Sequence, residues 1–321
     1  MNRYLRQEVL PDVGTAGQAR ISAARVLVVG AGGLAATVLP LLAAAGFGRI
    51  TIVDGDRVEL SNLHRQTLFT EQDQGRPKAD VAAERCRALN REVTVVPWRR
   101  PLTPANARRL IEDEDIVLDC ADSYAVSYTL SDNCADLRVP LISASVLGLS
   151  GYVGGFCGTA PSLRSIFPDP PDNAASCATA GVMGPVVSML GAAQAQMALA
   201  VVLNQEPSPL GQVLRFDMDT YRTAGFRFDR ANEPASFFPF IAQEEIVEGD
   251  RLIDLRPVTE VIETFHRRAE RLLPQELAKG LAPEDRRLVL CCASGLRAWR
   301  AAQDVHKSWP GEIVLVAAKA S

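Results

Sequence analysis

The chain has no surplus of positive charge: 34 Lys and Arg stand against 38 Asp and Glu, a net charge of −4. A protein that tracks a phosphate backbone needs a basic face, so nucleic acid is not expected as a partner. The opening MNRYLRQEVL is charged and lacks the apolar core of a signal peptide, so a cytoplasmic protein is expected. The seven cysteines are odd in number and scattered, which suits reduced thiols rather than a disulfide framework. Histidine is scarce, with only His64, His266 and His306. Internal repeats and low-complexity tracts are lacking. Charge is missing from one long run, the 24 residues from Gly181 to Asn204, which is spanning length. In lipid its Ser188, Gln194 and Gln196 would have to face the bilayer or each other, and the run is the only one of its kind. A helix buried in a protein or a dimer is therefore expected, and no membrane association.

What is present is the alternation of an α/β protein. RVLVVG, RITIVD, VTVVPW, DIVLDC and VPLISASV are apolar β-branched runs separated by helical stretches such as Asp80–Asn90 and Pro104–Glu112. This reads as βαβ units around a Rossmann-like, mostly parallel sheet with helices on both faces. Pro40 falls inside the first helix and is expected to kink it. VLRFDMDTYRTAGFRFDR alternates like paired strands, and a new pattern follows a turn-rich stretch. The expected division is a domain over residues 1–230, a linker over 231–240 and a small α/β unit over 241–321. That unit reads as DRLIDLRP, a helical EVIETFHRRAERLL, the strand RRLVLCC, a helix from GLRAWRAAQDVHK and a final GEIVLVA.

Gly30, Gly32 and Ala35 fit G-x-G-x-x-G/A between a strand and a helix, with Gly33 in the same turn. The first position permits the tight turn, the second lets backbone approach phosphate oxygens, and the third allows close helix–strand packing. A helix N-terminus offers free N–H groups to an anion. Asp54 ends the next strand, where a carboxylate accepts ribose hydroxyls, and Asp56 follows it. A bound nucleotide follows; NAD, FAD and ATP all remain open on this motif. Downstream, Asn62, Arg65, Gln66 and Lys78 supply two cations and two amides. Hydride transfer has no need of them, whereas phosphoryl chemistry builds negative charge that Arg and Lys stabilise.

RYLRQ, GAGGLA, VDGDRVELSNLHRQ, GRPKAD, LDCADS and SCATAGVMGP, taken in order over roughly residues 3–230, resemble the MoeB/ThiF/HesA family of ubiquitin-activating-like adenylyltransferases. The resemblance implies an ATP–Mg2+ site that adenylates the C-terminal glycine of a ubiquitin-like sulfur-carrier protein ending in Gly-Gly. It implies that Asp54 holds the ribose, that Asn62, Arg65 and Lys78 embrace the triphosphate with Gln66 beside them, and that Asp122 holds Mg2+. Arg6 corresponds to an arginine donated across a homodimer interface. Cys177 stands at the position of the sulfur-chemistry cysteine, just before a helix whose N-terminus would favour thiolate. Many relatives bind zinc through two C-x-x-C pairs; here Ser162 and Ser165 occupy the first pair and no cysteine follows FRFDR, so no structural zinc is expected.

LIDLRP followed by LVLCCASGLRAW resembles a rhodanese-like domain, with Asp254 and Arg256 in its DLR element and an active loop running from Cys292 to Arg297. Backbone N–H groups of such a loop can hold a persulfide anion. Ala293 stands where a basic residue is common, and the usual ending is absent. Two functions thus remain in view for this unit: sulfur transfer, with a donor such as a cysteine desulfurase, or docking alone. For the whole chain the rivals are adenylation of another carboxylate, a NAD-dependent oxidoreductase and a non-catalytic scaffold.

Overall fold

The computed structural model describes residues 2–170, 181–277 and 280–318. Five Val/Ile/Leu-rich strands, β1 (Arg25–Val29), β2 (Arg49–Val53), β3 (Thr94–Trp98), β4 (Ile116–Asp119) and β5 (Pro140–Leu147), pair in parallel in the order β3-β2-β1-β4-β5. Their near-continuous apolar runs follow from burial on both faces, as a parallel sheet requires. Three antiparallel strands extend the sheet: β6 (Ser150–Cys157), β7 (Gln212–Asp217) and β8 (Arg222–Arg227). β7 and β8 are the expected strand pair. β6 has no counterpart in the sequence reading, because its three glycines break the apolar alternation by which strands are recognised.

The helices of this unit are α1 (Leu5–Glu8), α2 (Gly14–Ala23), α3 (Gly33–Ala45), α4 (Lys78–Leu89), α5 (Pro104–Ile111), α6 (Tyr124–Leu137) and α7 (Gly184–Leu203). α4 and α5 lie where the apolar spacing placed them. The start of α5 is set by Pro104 in its first turn and by Asn106, whose Oδ1 accepts the Thr103 amide at 2.9 Å. Alternate strand residues divide between two cores. Val26, Val28, Ile50, Ile52 and Ile142 pack under α3, α4 and α7. Leu27, Val29, Val117 and Leu141 pack under α5 and α6. The charge-free run is α7, whose Val186, Val187, Leu190 and Ala198 are buried against the first core.

A second, wholly parallel sheet follows, ordered β10-β9-β11-β12, from β9 (Arg251–Asp254), β10 (Glu270–Arg271), β11 (Leu288–Cys292) and β12 (Ile313–Ala317). Its helices are α8 (Pro274–Leu277) and α9 (Leu296–Val305). The helix expected over EVIETFHRRAERLL does not form; the segment runs through turns and bends into β10. Thr259, Val261, Ile262 and Thr264 are β-branched and lose χ1 freedom in a helix. The Asp254 carboxylate instead accepts the Phe265 amide at 2.9 Å, which ties the segment across the strand end.

The two sheets share one apolar core, since Leu27 and Tyr128 belong to the same cluster as Leu290 and Trp299. At its centre Arg164, 2% exposed, grips Asp132 with Nε and Nη2 at 2.5 and 2.8 Å. Its guanidinium lies 4.5 Å from the Tyr128 ring centroid, 4.3 Å from that of Phe237 and 5.1 Å from that of Trp299. Trp299 stacks on Tyr128 and donates Nε1 to Asp169 at 3.0 Å. The residues read as a linker therefore pack: Phe237 and Phe238 join this cluster, and Pro239 and Ile241 exchange backbone hydrogen bonds with Leu315 of β12.

Losing Arg164 leaves Asp132, whose side chain is 22% exposed, without its counter-charge, at a cost below the about 3–5 kcal/mol of a fully buried pair. Arg164→Ala should therefore lower the unfolding midpoint and expose 231–240 to proteolysis, read by denaturant titration and limited digestion. A wild-type digestion pattern would show that the pair does not hold the two units together.

Candidate functional site

The carboxyl ends of β1, β2 and β4 meet at one edge of the first sheet, the place where parallel α/β sheets bind ligands. β1 passes into the turn at Gly30, whose φ is +90° and whose amide donates to the Val53 carbonyl at 2.8 Å. A Cβ on Gly30 would lie 2.8 Å from the Cys120 carbonyl oxygen and 3.0 Å from the Ala121 nitrogen. The glycine turn is thus in contact with the loop after β4 that carries Asp122. α3 begins at Gly33 with no side chain capping its N-terminus, so its first amides stand free for an anion.

Around this turn the structure gathers most of the residues expected there. Asp54, at the end of β2, accepts the Ala31 amide on Oδ2 at 2.6 Å and the Asp56 amide on Oδ1 at 2.7 Å. It braces the turn it faces, and burial raises its pKa against those hydrogen bonds. Gln66 is buried with Oε1 unpartnered, and its Nε2 comes to 3.7 Å of where a Gly32 Cβ would stand. An orphaned buried amide beside an open backbone cradle fits a ligand with phosphate oxygens. Lys78, buried at the start of α4, holds Asp56 at 3.2 Å. Arg65 lies against Gly33, with Nη2 on Asn62 Oδ1 at 2.9 Å and Nη1 on His64 Nε2 at 2.8 Å. Both cations are held by neutral or exposed partners that a polyanion can replace. Asp122 is exposed on its loop, an oxygen donor of the kind Mg2+ takes.

The remaining predicted residues lie elsewhere. Arg6 is exposed on α1, which packs on α2, and among the described residues it makes no bond to the cradle. Cys177 lies outside the described residues. Cys292 ends β11 and is fully buried; the Ala298 amide donates to its Sγ at 3.4 Å. Arg297 donates to Cys292 and, at 2.6 Å, to Glu260. Asp254 and Arg256 form a buried pair at 2.8 Å behind this loop, and the pairing holds the Asp254 carboxyl below its ordinary pKa. Ser162 and Ser165 are engaged within the protein: Ser162 bonds the Glu233 carboxylate through both amide and hydroxyl, and Ser165 donates to the Ser162 carbonyl at 2.7 Å.

Sequence reasoning passed over three buried groups beneath the site, Asp119, Ser143 and Gln194. The visible signal was Gln194, a polar residue inside a charge-free helix. Asp119 accepts the Ser143 hydroxyl at 2.9 Å and the Ala121 amide at 3.2 Å, yet burial pushes its carboxyl up to about 6.

The ThiF family matches residues 4–236 of the chain. An adenylyltransferase and sulfurtransferase, uba4, of Aspergillus fumigatus is 42% identical over 248 residues, covering 72% of this chain and 50% of that protein. The adenylyltransferase and sulfurtransferase MOCS3 of Danio rerio is 42% identical over 233 residues, covering 70% and 50%. The chain spans about half the length of these relatives. Among solved structures, E. coli MccB with ATP is similar in fold at a TM-score of 0.63 and 22% identity, covering 71% of this chain and 72% of MccB.

Two outcomes follow. Gly32→Ala, whose new methyl meets only the Gln66 amide at 3.7 Å, should keep the wild-type melting temperature and weaken ATP binding about tenfold or more, because it fills the cradle. Equal ATP affinity by calorimetry would remove the turn from the binding site. For Asp119, the ordinary pKa of 3.8 describes the unfolded chain and about 6 the folded one. The folded state then holds its proton more tightly, so its contribution is whole below pH 3.8 and is lost as pH rises through about 6. Relative to Asp119→Asn, the wild type should lose on the order of 2–3 kcal/mol between pH 4 and 7 in urea titrations; parallel curves would refute the assignment.

Proposed function

The chain belongs to the ThiF family, and from that membership we propose that its larger unit adenylates the C-terminal glycine of a ubiquitin-like sulfur-carrier protein ending in Gly-Gly. The observation that carries the reading is the gathering of Arg65 and Gln66 on the glycine turn, with Lys78 on the neighbouring Asp56 and Asp54 and Asp122 after the adjoining strands. The carrier's terminal carboxylate attacks the α-phosphorus of ATP, the bond to the bridging oxygen breaks, and pyrophosphate leaves. Arg65 and Lys78 face the charge that accumulates on the phosphoryl oxygens, and the α3 N-terminus holds the chain of phosphates in line. Lys78 exchanges its exposed partner Asp56 for phosphate, while burial of its stem keeps the ammonium in place. Mg2+, which Asp122 would hold, neutralises phosphate charge when bound. Asn62 supports Arg65 through its Oδ1.

The smaller unit would then act as a rhodanese-like sulfurtransferase. The terminal sulfur of a persulfide on Cys292, charged by a donor such as a cysteine desulfurase, displaces AMP from the acyl-adenylate. The resulting acyl disulfide is resolved by a second thiol, for which Cys177 is the sequence's candidate, leaving the carrier thiocarboxylate and a protein disulfide. Arg297 beside Cys292 and the inward Ala298 amide support anion binding at this loop. The full burial of Cys292 favours a second reading, in which this unit only docks a partner and the larger one adenylates a peptide or other carboxylate. A cytoplasmic homodimer that supplies Arg6 to the partner's site completes the proposal.

Carrier-dependent ATP–pyrophosphate exchange tests the first step: Lys78→Ala and Asp122→Ala should each lower it by about 10²-fold or more. Exchange that ignores the carrier would remove the substrate, and NADH oxidation without exchange would remove the adenylation reading. Cys292→Ala should leave exchange intact and abolish thiocarboxylate formation, seen by mass spectrometry; thiocarboxylate formed at the wild-type rate would favour docking.

A further inference from the structure

α7 carries one fully buried polar side chain, Gln194, while its Ser188 is half-buried and its Gln196 exposed. A buried carboxamide is costly unless its two N–H groups and its oxygen are satisfied. All three are. Nε2 donates to the Asp119 carbonyl at 2.8 Å and to the Ile142 carbonyl at 2.9 Å, and Oε1 accepts the Cys120 thiol at 3.3 Å. The β4–β5 ladder ends at the pair Asp119 and Ser143. Gln194 therefore stands where that ladder stops and ties the end of β4 to β5, which continues to Leu147.

From there a short, doubly tied path leads to the site. The Asp119 carboxylate, itself fully buried, takes the Ser143 hydroxyl at 2.9 Å and the Ala121 amide at 3.2 Å, and the Cys120 amide donates to Val29 at 2.9 Å. The carbonyl of Cys120 and the nitrogen of Ala121 are the atoms against which the Gly30 turn rests. Asp122 is the next residue.

We propose that Gln194 is a positioning residue: by joining the carboxyl end of β4 to the early part of β5 it fixes the Ala121–Asp122 loop against the glycine turn at Gly30. The carboxamide bridges the two strands at the end of their ladder, and α7, packed on the same face of the sheet as α3, sets the loop's position from below. This deepens the adenylation reading and rests on it for the role of Asp122. Side chains that orient a ligating group from behind are typically worth about 10–100-fold in metal affinity or activity.

The test compares wild type, Gln194→Met and Ser143→Ala by three readouts. The first is hydrogen exchange of the Ala121–Ser123 amides in the nucleotide-free protein, which reports local opening. The second is the Mg2+ dependence of binding of a fluorescent ATP analogue, and the third is kcat and KM for ATP–pyrophosphate exchange. Gln194→Met should raise amide exchange in that loop about tenfold, raise half-saturating Mg2+ by about tenfold and lower kcat, with KM for ATP within about twofold. A loss that was structural alone would reduce the active fraction and leave Mg2+ half-saturation unmoved. A folded Gln194→Met with wild-type loop exchange and Mg2+ dependence overturns the proposal. If its thermal melt shows that it does not fold, Ser143→Ala, which removes the β5 hydroxyl from Asp119, decides by the same criteria. Should wild-type protein show no carrier-dependent exchange, the adenylation reading falls, and the hydrogen-exchange arm still decides whether Gln194 holds the loop.

Discussion

The contact between the Gly30 turn and the peptide after Cys120 is the constraint from which the site follows. Two strand ends are brought so close that no side chain fits between them, and only glycine at a φ of +90° makes the turn. The free amides at the start of α3 and the loop bearing Asp122 then face the same space. Asp54 adds the third side by holding the Ala31 amide, so a residue expected to meet a ribose also shapes the turn itself.

The two cations of the site are held in place by side-chain hydrogen bonds, one to a carboxylate and the other to neutral groups. Lys78 rests on Asp56, and Arg65 on Asn62 and His64. The buried stem of Lys78 and the exposed position of Asp56 make this pairing an exchangeable one, since a surface carboxylate is well solvated when released. A small net charge does not exclude a local anion site, since Arg65 against Gly33 and Lys78 on Asp56 put two cations near the glycine turn.

The second unit is joined to the first by apolar contact rather than by a hinge. Trp299, Tyr128 and Phe237 lie against the Arg164 guanidinium that binds Asp132, and the strand-like pairing of Pro239 and Ile241 with β12 absorbs the residues between the units. Ser162 and Glu233 close the same junction with polar bonds. Within this unit the Asp254 carboxylate holds both Arg256 and the Phe265 amide, while Cys292 is buried in the core that the two units share.

Local chemistry made much of this legible in advance. Runs of β-branched residues mark β1 to β5, because burial on both faces admits little else, and a glycine turn followed by an acidic strand end marks the cradle, because backbone geometry there excludes side chains. The helix read over residues 260–273 did not survive, since a carboxylate from β9 captured its backbone, a partner distant in sequence. β6 was hidden by its glycines for the same reason: its place is set by pairing with β5 and β7. Gln194 showed only as an oddity in an apolar run until the sheet placed two open carbonyls and a thiol around it. Sequence by itself determined which segments could bury themselves and which turn could receive phosphate, since both depend on near neighbours along the chain. Tertiary structure alone decided which polar groups met beneath the site and how the two units closed on one core, because those hydrogen bonds and contacts exist only once distant segments are packed together.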